Sequence, residues 1–359
     1  MDKRTFLKRA GVLGLAAMHA ELLVSCLTTT DEKGVQKNWV WRGLKKETTP
    51  AEWQEELAAL RKNGITGVFF GGFDEVVFKL AKKEGLETHV WMWTLNRGEA
   101  YVRENHPEWY TLNRKGESCF DQPPYVDYYR WLCPSRTEVQ EYLLKEVEKF
   151  AREPLVDGVH LDYVRYCDVI LPRALWEKYD LVQNEELPEF DYCYCEVCRS
   201  KFKEQNGVDP LKLENPPANE AWLQYRYDTV TNLVNKLVER IHQHGKIVSA
   251  AVFPTPEIAK KLVRQDWVHW NLDWIFPMIY HSFYEEEISW IGQAVQEGTQ
   301  ALNGKTDLYA GLYLPAFTSV EEWKEGLEQA RGNGAKGMAL FGKLSAEQWD
   351  AFYQFIDKA

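Results

Sequence analysis

The chain has 359 residues, 14% of them aromatic, and a formal net charge of −11. That acidic balance repels nucleic acid, and no basic stripe runs along the sequence to follow a phosphate backbone, so a nucleic-acid partner is excluded. With 15 Trp, 18 Tyr and 16 Phe there are more large flat side chains than a core of this size requires, which leaves some to face a ligand that offers C–H surfaces.

The first residues read as an export signal. Lys3, Arg4, Lys8 and Arg9 precede a short apolar run, 10–17, that is too brief to span a bilayer and has the form of a signal-peptide core. It ends at Leu23-Val24-Ser25-Cys26, which has the form of a lipobox, and Lys3-Arg4-Thr5-Phe6-Leu7-Lys8 is similar to a twin-arginine signal with Lys in the first position. The expectation is a leader over 1–25, a lipid-bearing Cys26, and a polar tether over 26–37 that anchors a domain at 38–359 in a bacterial cell envelope, periplasmic or outer-membrane. The leader carries four basic and two acidic side chains, so the remainder is near −13. No later apolar run is long enough for a transmembrane helix, so the domain is expected to be soluble.

From residue 39 onward one unit repeats. Short apolar segments at 39–43, 67–71, 88–94, 158–162, 247–253, 274–279, 309–313 and 337–341 read as strands. Stretches with helical spacing lie between them, at 50–62, 137–152, 221–244, 287–302, 319–331 and 345–356. In the first of these Trp53, Leu57 and Leu60 share a face behind a Pro50 start signal. Ser319/Glu322 and Ser345/Gln348 have the spacing of capping boxes. Eight alternating units with right-handed crossovers predict a single (β/α)8 TIM barrel. A doubly wound open sheet would carry a glycine-rich phosphate loop after its first strand, and Arg42-Gly43-Leu44-Lys45 is not one. Two connections, 95–136 and 163–219, are far longer than the rest, and the first is expected to hold a short helix before His106. Both follow strand C-terminal ends, where barrels place their sites, so the mouth of the site is expected between them.

Alternation along 158–162 turns His160 and Asp162 to one side and Val159 and Leu161 to the other. The apolar pair suits the helix layer, which points His160 and Asp162 at the barrel axis with Asp162 at the mouth. A carboxylate there requires a partner, and Arg165 or His160 could supply it. Asp157, at the other end of the strand, reads as a turn former. Residues expected at the same mouth are Arg42 after strand one, Trp93 and Asn96 after strand three, Tyr163 and Arg165 after strand four, Tyr280 and His281 after strand six, Tyr313 at the end of strand seven and Lys343 past strand eight. Rings that stack on pyranose faces, with amides, guanidinium and ammonium groups to read hydroxyls, form a sugar-binding mixture. Trp91 reads as core, and His89 and His106 as structural. The three thiols of Cys193-x-Cys195-x-x-Cys198 could bind structural zinc if a fourth ligand such as Cys167 joined them. An oxidising compartment would favour disulfides instead, and both remain open. Neither reading makes the loop catalytic, and no cofactor is expected for the reaction.

Asp157-Gly-Val-His-Leu-Asp-Tyr-Val-Arg-Tyr166 resembles the fourth-strand signature of glycosyl hydrolase-like family 10, exported barrels distantly related to the alpha-amylase clan. The resemblance continues through His106-Pro-Glu-Trp109, Asn113-Arg-Lys-Gly116, Cys133-Pro-Ser-Arg-Thr-Glu-Val139, Ser249-Ala-Ala-Val-Phe-Pro254 and Asp273-Trp-Ile-Phe-Pro-Met-Ile-Tyr280. Relatives usually have Pro after the Arg-Tyr pair, where this chain has Cys167. The resemblance implies glycoside hydrolysis of a poly- or oligosaccharide, with Asp162 similar to the amylase-type nucleophile and His160 similar to the basic residue that contacts it. Such chemistry needs a second carboxyl group as acid. Strand five ends in Phe253-Pro254-Thr255 without one, and Glu257 beyond it reads as the start of a helix. Asp127, Asp168, Glu196 and Glu285 from other loops are the candidates. The missing strand-five carboxyl keeps a second reading open, a surface glycan-binding lipoprotein without turnover. A metal-dependent hydrolase or deacetylase built on the cysteine loop is a third.

Overall fold

A computed structural model describes residues 36–357. The expected leader, the Cys26 lipidation site and most of the tether lie outside the described residues. Among the described residues nine strands form one parallel sheet: β1 (Trp39–Arg42), β2 (Gly67–Phe70), β3 (Glu87–Trp93), β4 (Gly158–Asp162), β5 (Ile247–Val252), β6 (Trp274–Pro277), β7 (Asp307–Leu308), β8 (Ala310–Tyr313) and β9 (Met338–Phe341). The seventh strand starts two residues before the expected 309–313 and is split at Tyr309. Its first half, β7, pairs with β6, and its second half, β8, pairs with β9, which in turn pairs with β1. The ring closes where Gly311 bridges Met278 and accepts the Ile279 amide at 2.9 Å. A Cβ on Gly311 would stand 2.7 Å from the Pro277 carbonyl oxygen, so only glycine lets the two backbones approach this closely. The expected eight-stranded TIM barrel is therefore present, with one strand in two pieces.

The helices that cover the sheet are α1 (Pro50–Lys62), α2 (Glu75–Lys83), α3 (Ala100–Asn105), α4 (Thr137–Ala151), α5 (Glu196–Asn206), α6 (Glu220–His242), α7 (Pro256–Val263), α8 (Trp290–Leu302), α9 (Val320–Gly332) and α10 (Ala346–Asp357). Trp53, Leu57 and Leu60 of α1 are buried, as their spacing predicts. Ser345 and Gln348 form the expected reciprocal box ahead of α10. At α9 only half of it forms, because Ser319 caps the Glu322 amide while the Glu322 carboxylate reaches Thr318 instead. Thr49 and Glu52 make a further full box at the start of α1. Among the described residues no helix is long and apolar enough to cross a membrane.

The barrel interior is aromatic. Trp39 and Trp41 of β1, Phe69 of β2, Phe276 of β6 and Tyr309 between β7 and β8 fill it, closed off by the small Ala251 and Ala339. This inner plug absorbs part of the tryptophan excess and gives the pocket above it a rigid floor.

Candidate active site

The pocket lies at the C-terminal strand ends, under the two long loops, with a volume of about 280 Å³. Trp41, Trp91 and Trp93 line it together with Tyr125, Tyr129, Tyr163, Tyr280 and Tyr284, and the carboxyl groups in its wall among the described residues are Asp162 and Asp168. Register sets this up. Parallel pairing of β3 with β4 places Trp91 beside His160 and Trp93 beside Asp162. All four therefore face the axis, and the deeper indole points up under the carboxylate.

Asp162 is buried, and its two oxygens accept from the Trp91 indole N–H at 2.9 Å and the Tyr163 amide at 2.6 Å. Burial raises its proton affinity above the ordinary aspartate value, and the two hydrogen bonds only partly offset that. The second bond depends on Tyr163, whose φ of 48° turns the chain back on itself as the strand ends. A left-handed tyrosine is strained unless its surroundings hold it, and here its ring packs 4.7 Å from that of Trp93. Arg165 is buried with its guanidinium over Trp131 at 4.7 Å and Phe253 at 5.0 Å, and it donates to Asp168 at 2.9 Å and to the Tyr166 carbonyl at 3.0 Å. Burial, and then the charge of Asp162, push the Tyr280 phenol well above its usual value, so it keeps its proton.

Several expected residues are placed elsewhere. His160 does face the axis, but its ring sits beneath the pocket, stacked 3.8 Å from Phe69. One ring nitrogen takes the Trp41 indole N–H at 3.1 Å and the other meets the Ser249 hydroxyl at 2.8 Å. Burial drives its pKa well below the usual value, so it is neutral and, with both nitrogens engaged, is not the partner of Asp162. Arg165 is not that partner either, since it pairs with Asp168. The direct contact is Trp91, which had read as core. Arg42 alternates out of the barrel with Val40 and bonds Glu56 at 2.6 Å, in a separate groove that it shares with Lys343. Asn96 is buried, with its side-chain oxygen taken by the Arg130 amide at 2.8 Å. His281 turns away to Phe317, at 5.2 Å. Tyr313 lies one ring behind the wall, 5.4 Å from Tyr280. Trp93, Tyr163, Arg165 and Tyr280 do line the pocket.

Of the acid candidates, Asp168 joins Asp162. Glu285 is an exposed partner of Arg173, Glu196 opens α5 in a different surface cleft, and Glu257 lies in α7 as expected. Asp127 does not line the pocket. The cysteine loop is also rearranged. Its fourth thiol is Cys133, from the loop after β3, and not Cys167. All six described cysteines are free thiols.

Comparison with known proteins adds fold and family. No curated protein matches the chain. Among solved structures it is similar to a β-galactosidase from the psychrophilic Marinomonas ef1, at 13% identity and a TM-score of 0.63, covering 90% of this chain and 59% of that one. It is similar to the catalytic domain of β-amylase from Paenibacillus polymyxa, at 12% identity and a TM-score of 0.62, covering 90% and 99%. The PgaB (BpsB) glycoside hydrolase domain from Bordetella bronchiseptica matches at 11% identity and a TM-score of 0.61, covering 90% and 97%. Identities this low establish a shared barrel and nothing finer. The family model of glycosyl hydrolase-like 10 matches residues 71–324, which takes in both long loops, the fourth strand and every residue lining the pocket except Trp41 and Phe341. The chain belongs to the glycosyl hydrolase-like 10 family.

Proposed function

We propose that the chain hydrolyses a glycosidic bond in a poly- or oligosaccharide, with Asp162 as the reacting carboxylate, nucleophile or base. One observation carries this reading: a carboxylate of raised proton affinity at the floor of a pocket walled by indole and phenol rings. A base is most effective when its pKa approaches the working pH, and burial moves Asp162 in that direction. The rings supply stacking surfaces for pyranose C–H faces, and Tyr280 supplies a hydroxyl donor. Asp168 is the second carboxyl. To reach a leaving oxygen it must let go of Arg165 when substrate binds, because its Oδ2 is bonded to that guanidinium at 2.9 Å.

That engagement of Asp168 favours a second reading, a barrel that binds glycan and does not cleave it. A panel of polysaccharides assayed for reducing-end release separates the two. Release from at least one glycan is expected, and tight binding across the panel with no release would establish the binding protein. The leader and lipobox support export and a lipid anchor at Cys26, which mass analysis of the membrane fraction would test.

Trp91 has the role of a positioning residue. Trp91→Phe keeps the ring and removes one charge-assisted hydrogen bond, worth about 1.5 kcal/mol. The Asp162 carboxyl then holds its proton more tightly, and the acid limb of the pH–rate profile is expected to move up by about one pH unit. An unchanged limb would show that the indole only packs.

A further inference from the structure

The two long loops that cover the pocket also meet at four cysteines that the proposed reaction does not use. Cys133 comes from the loop after β3, sixty residues before the others, while Cys193, Cys195 and Cys198 come from the loop after β4. All four are buried, and their sulfurs lie within 4.8 Å of one another. Cys133 Sγ is 3.6 Å from that of Cys195 and 3.4 Å from that of Cys198. A tetrahedron of sulfurs around zinc, with bonds of about 2.3 Å, has edges of about 3.8 Å. Sulfurs joined in a disulfide stand about 2.05 Å apart. The four thiols are thus arranged as the corners of a coordination sphere rather than as two bonded pairs.

We infer that Cys133, Cys193, Cys195 and Cys198 form a structural tetrathiolate zinc site that fastens the two pocket loops to each other. The donor set is complete with four soft ligands, and no His or carboxylate shares the cluster, so there is no open position for catalysis. The surroundings suit the net negative charge of zinc with four thiolates. Cys195 is the N-cap of α5 and Cys198 lies in its first turn, so both sulfurs sit at the positive end of an eleven-residue helix. On the Cys133 side, Lys201 reaches across from α5 to the Ser135 carbonyl at 2.6 Å, bringing an ammonium group to the same corner. An independent sign of a missing partner is Tyr166. Its ring is buried beside these cysteines, and its hydroxyl has no hydrogen-bond partner among the described residues. A thiolate of the filled site is a ready acceptor for it.

The consequence reaches the pocket. Tyr125 and Tyr129 project from the loop that carries Cys133, and Asp168 from the loop that carries the other three. Zinc would hold those two walls in register without touching substrate, whatever reaction the pocket performs.

The test uses the full-length protein, purified without chelator and analysed for metal. About one zinc per chain is expected. Denaturation with chelator should then release the four cysteines as titratable thiols. Cys198→Ser should lose the metal, and Cys167→Ser, which alters a buried thiol outside the cluster, should retain it. If Cys198→Ser does not fold, exchange of the wild-type metal for cobalt reads the same geometry through sulfur-to-cobalt absorption. Metal-free protein with the four cysteines in disulfides would overturn the inference, as would iron in place of zinc, or a Cys198→Ser protein that keeps a full equivalent.

Discussion

Asp162→Asn is expected to lower kcat on the glycan that the wild type cleaves by about 10³-fold, with KM changed by less than about threefold. The carboxylate either attacks the anomeric carbon or draws the proton from water, and an amide does neither. The substitution is nearly isosteric, and the rings that bind sugar remain in place, so the loss belongs to the chemical step. Rates measured under saturating substrate, beside binding measured by calorimetry, check this. Folded Asp162→Asn protein with undiminished turnover would remove Asp162 from the mechanism.

The same substitution has a small expected effect on stability, and this makes it a clean probe. Asp162 in the folded chain holds its proton more tightly than in the unfolded chain. Its contribution to stability is therefore greatest below the unfolded carboxyl's pKa and is lost as pH rises through the raised folded value. Above that raised value the ionised group is a net cost, which Asn removes. Against that, both oxygens of Asp162 accept hydrogen bonds, and Asn must turn its amide nitrogen toward either the Trp91 or the Tyr163 N–H. The two effects oppose each other, so the melting temperature should move by no more than a few degrees.

The barrel was legible because its strands are bounded by turn residues and six of its helices show a buried stripe, signals that lie within a dozen residues of chain, whereas α2 and α5 lie outside the expected helical stretches. The direction of Asp162 was legible for the same reason, since alternation is a local property. Arg42 has a local signal of its own: Trp39 and Trp41 fill the barrel, so the intervening parity sends Arg42 outward. The Trp91–Asp162 bond had no such signal. It arises from the stagger of neighbouring strands, which lets an indole register-paired with His160 reach the carboxylate two residues further on. Cys133 is further still from local reading, because only the folding of two loops onto one another brings it to Cys193. His160 misled by its type. A histidine facing a barrel axis suggests catalysis, yet this one is neutralised by burial and bonded at both nitrogens.

The largest stability effect is expected at Asp191, which no sequence signal marks. It lies in the loop after β4 with its carboxylate wholly buried, paired with the equally buried guanidinium of Arg226 on α6. Tyr194 donates to the same carboxylate at 2.7 Å, and the Trp222 indole donates to the Tyr194 oxygen at 3.0 Å. Arg226 has no other anion within ion-pair distance among the described residues, and its Nε and Nη2 are unbonded. Asp191→Ala would strand a charged guanidinium in the protein interior, at a cost of about 3–5 kcal/mol. For a barrel of this size, that lowers the melting temperature by about 5–10 °C if the domain unfolds as a unit. The pairing, rather than the carboxylate alone, is what the fold requires. Accordingly the double variant Asp191→Leu with Arg226→Met, which removes both wholly buried charges and leaves only the partly exposed Arg114 that Asp191 also meets at 3.6 Å, should recover much of the loss, whereas independent contributions would make the two changes add. Urea unfolding of the two single variants and the double one measures that coupling, and additivity within about 0.5 kcal/mol would show that the loop is held by packing and not by its buried ion pair.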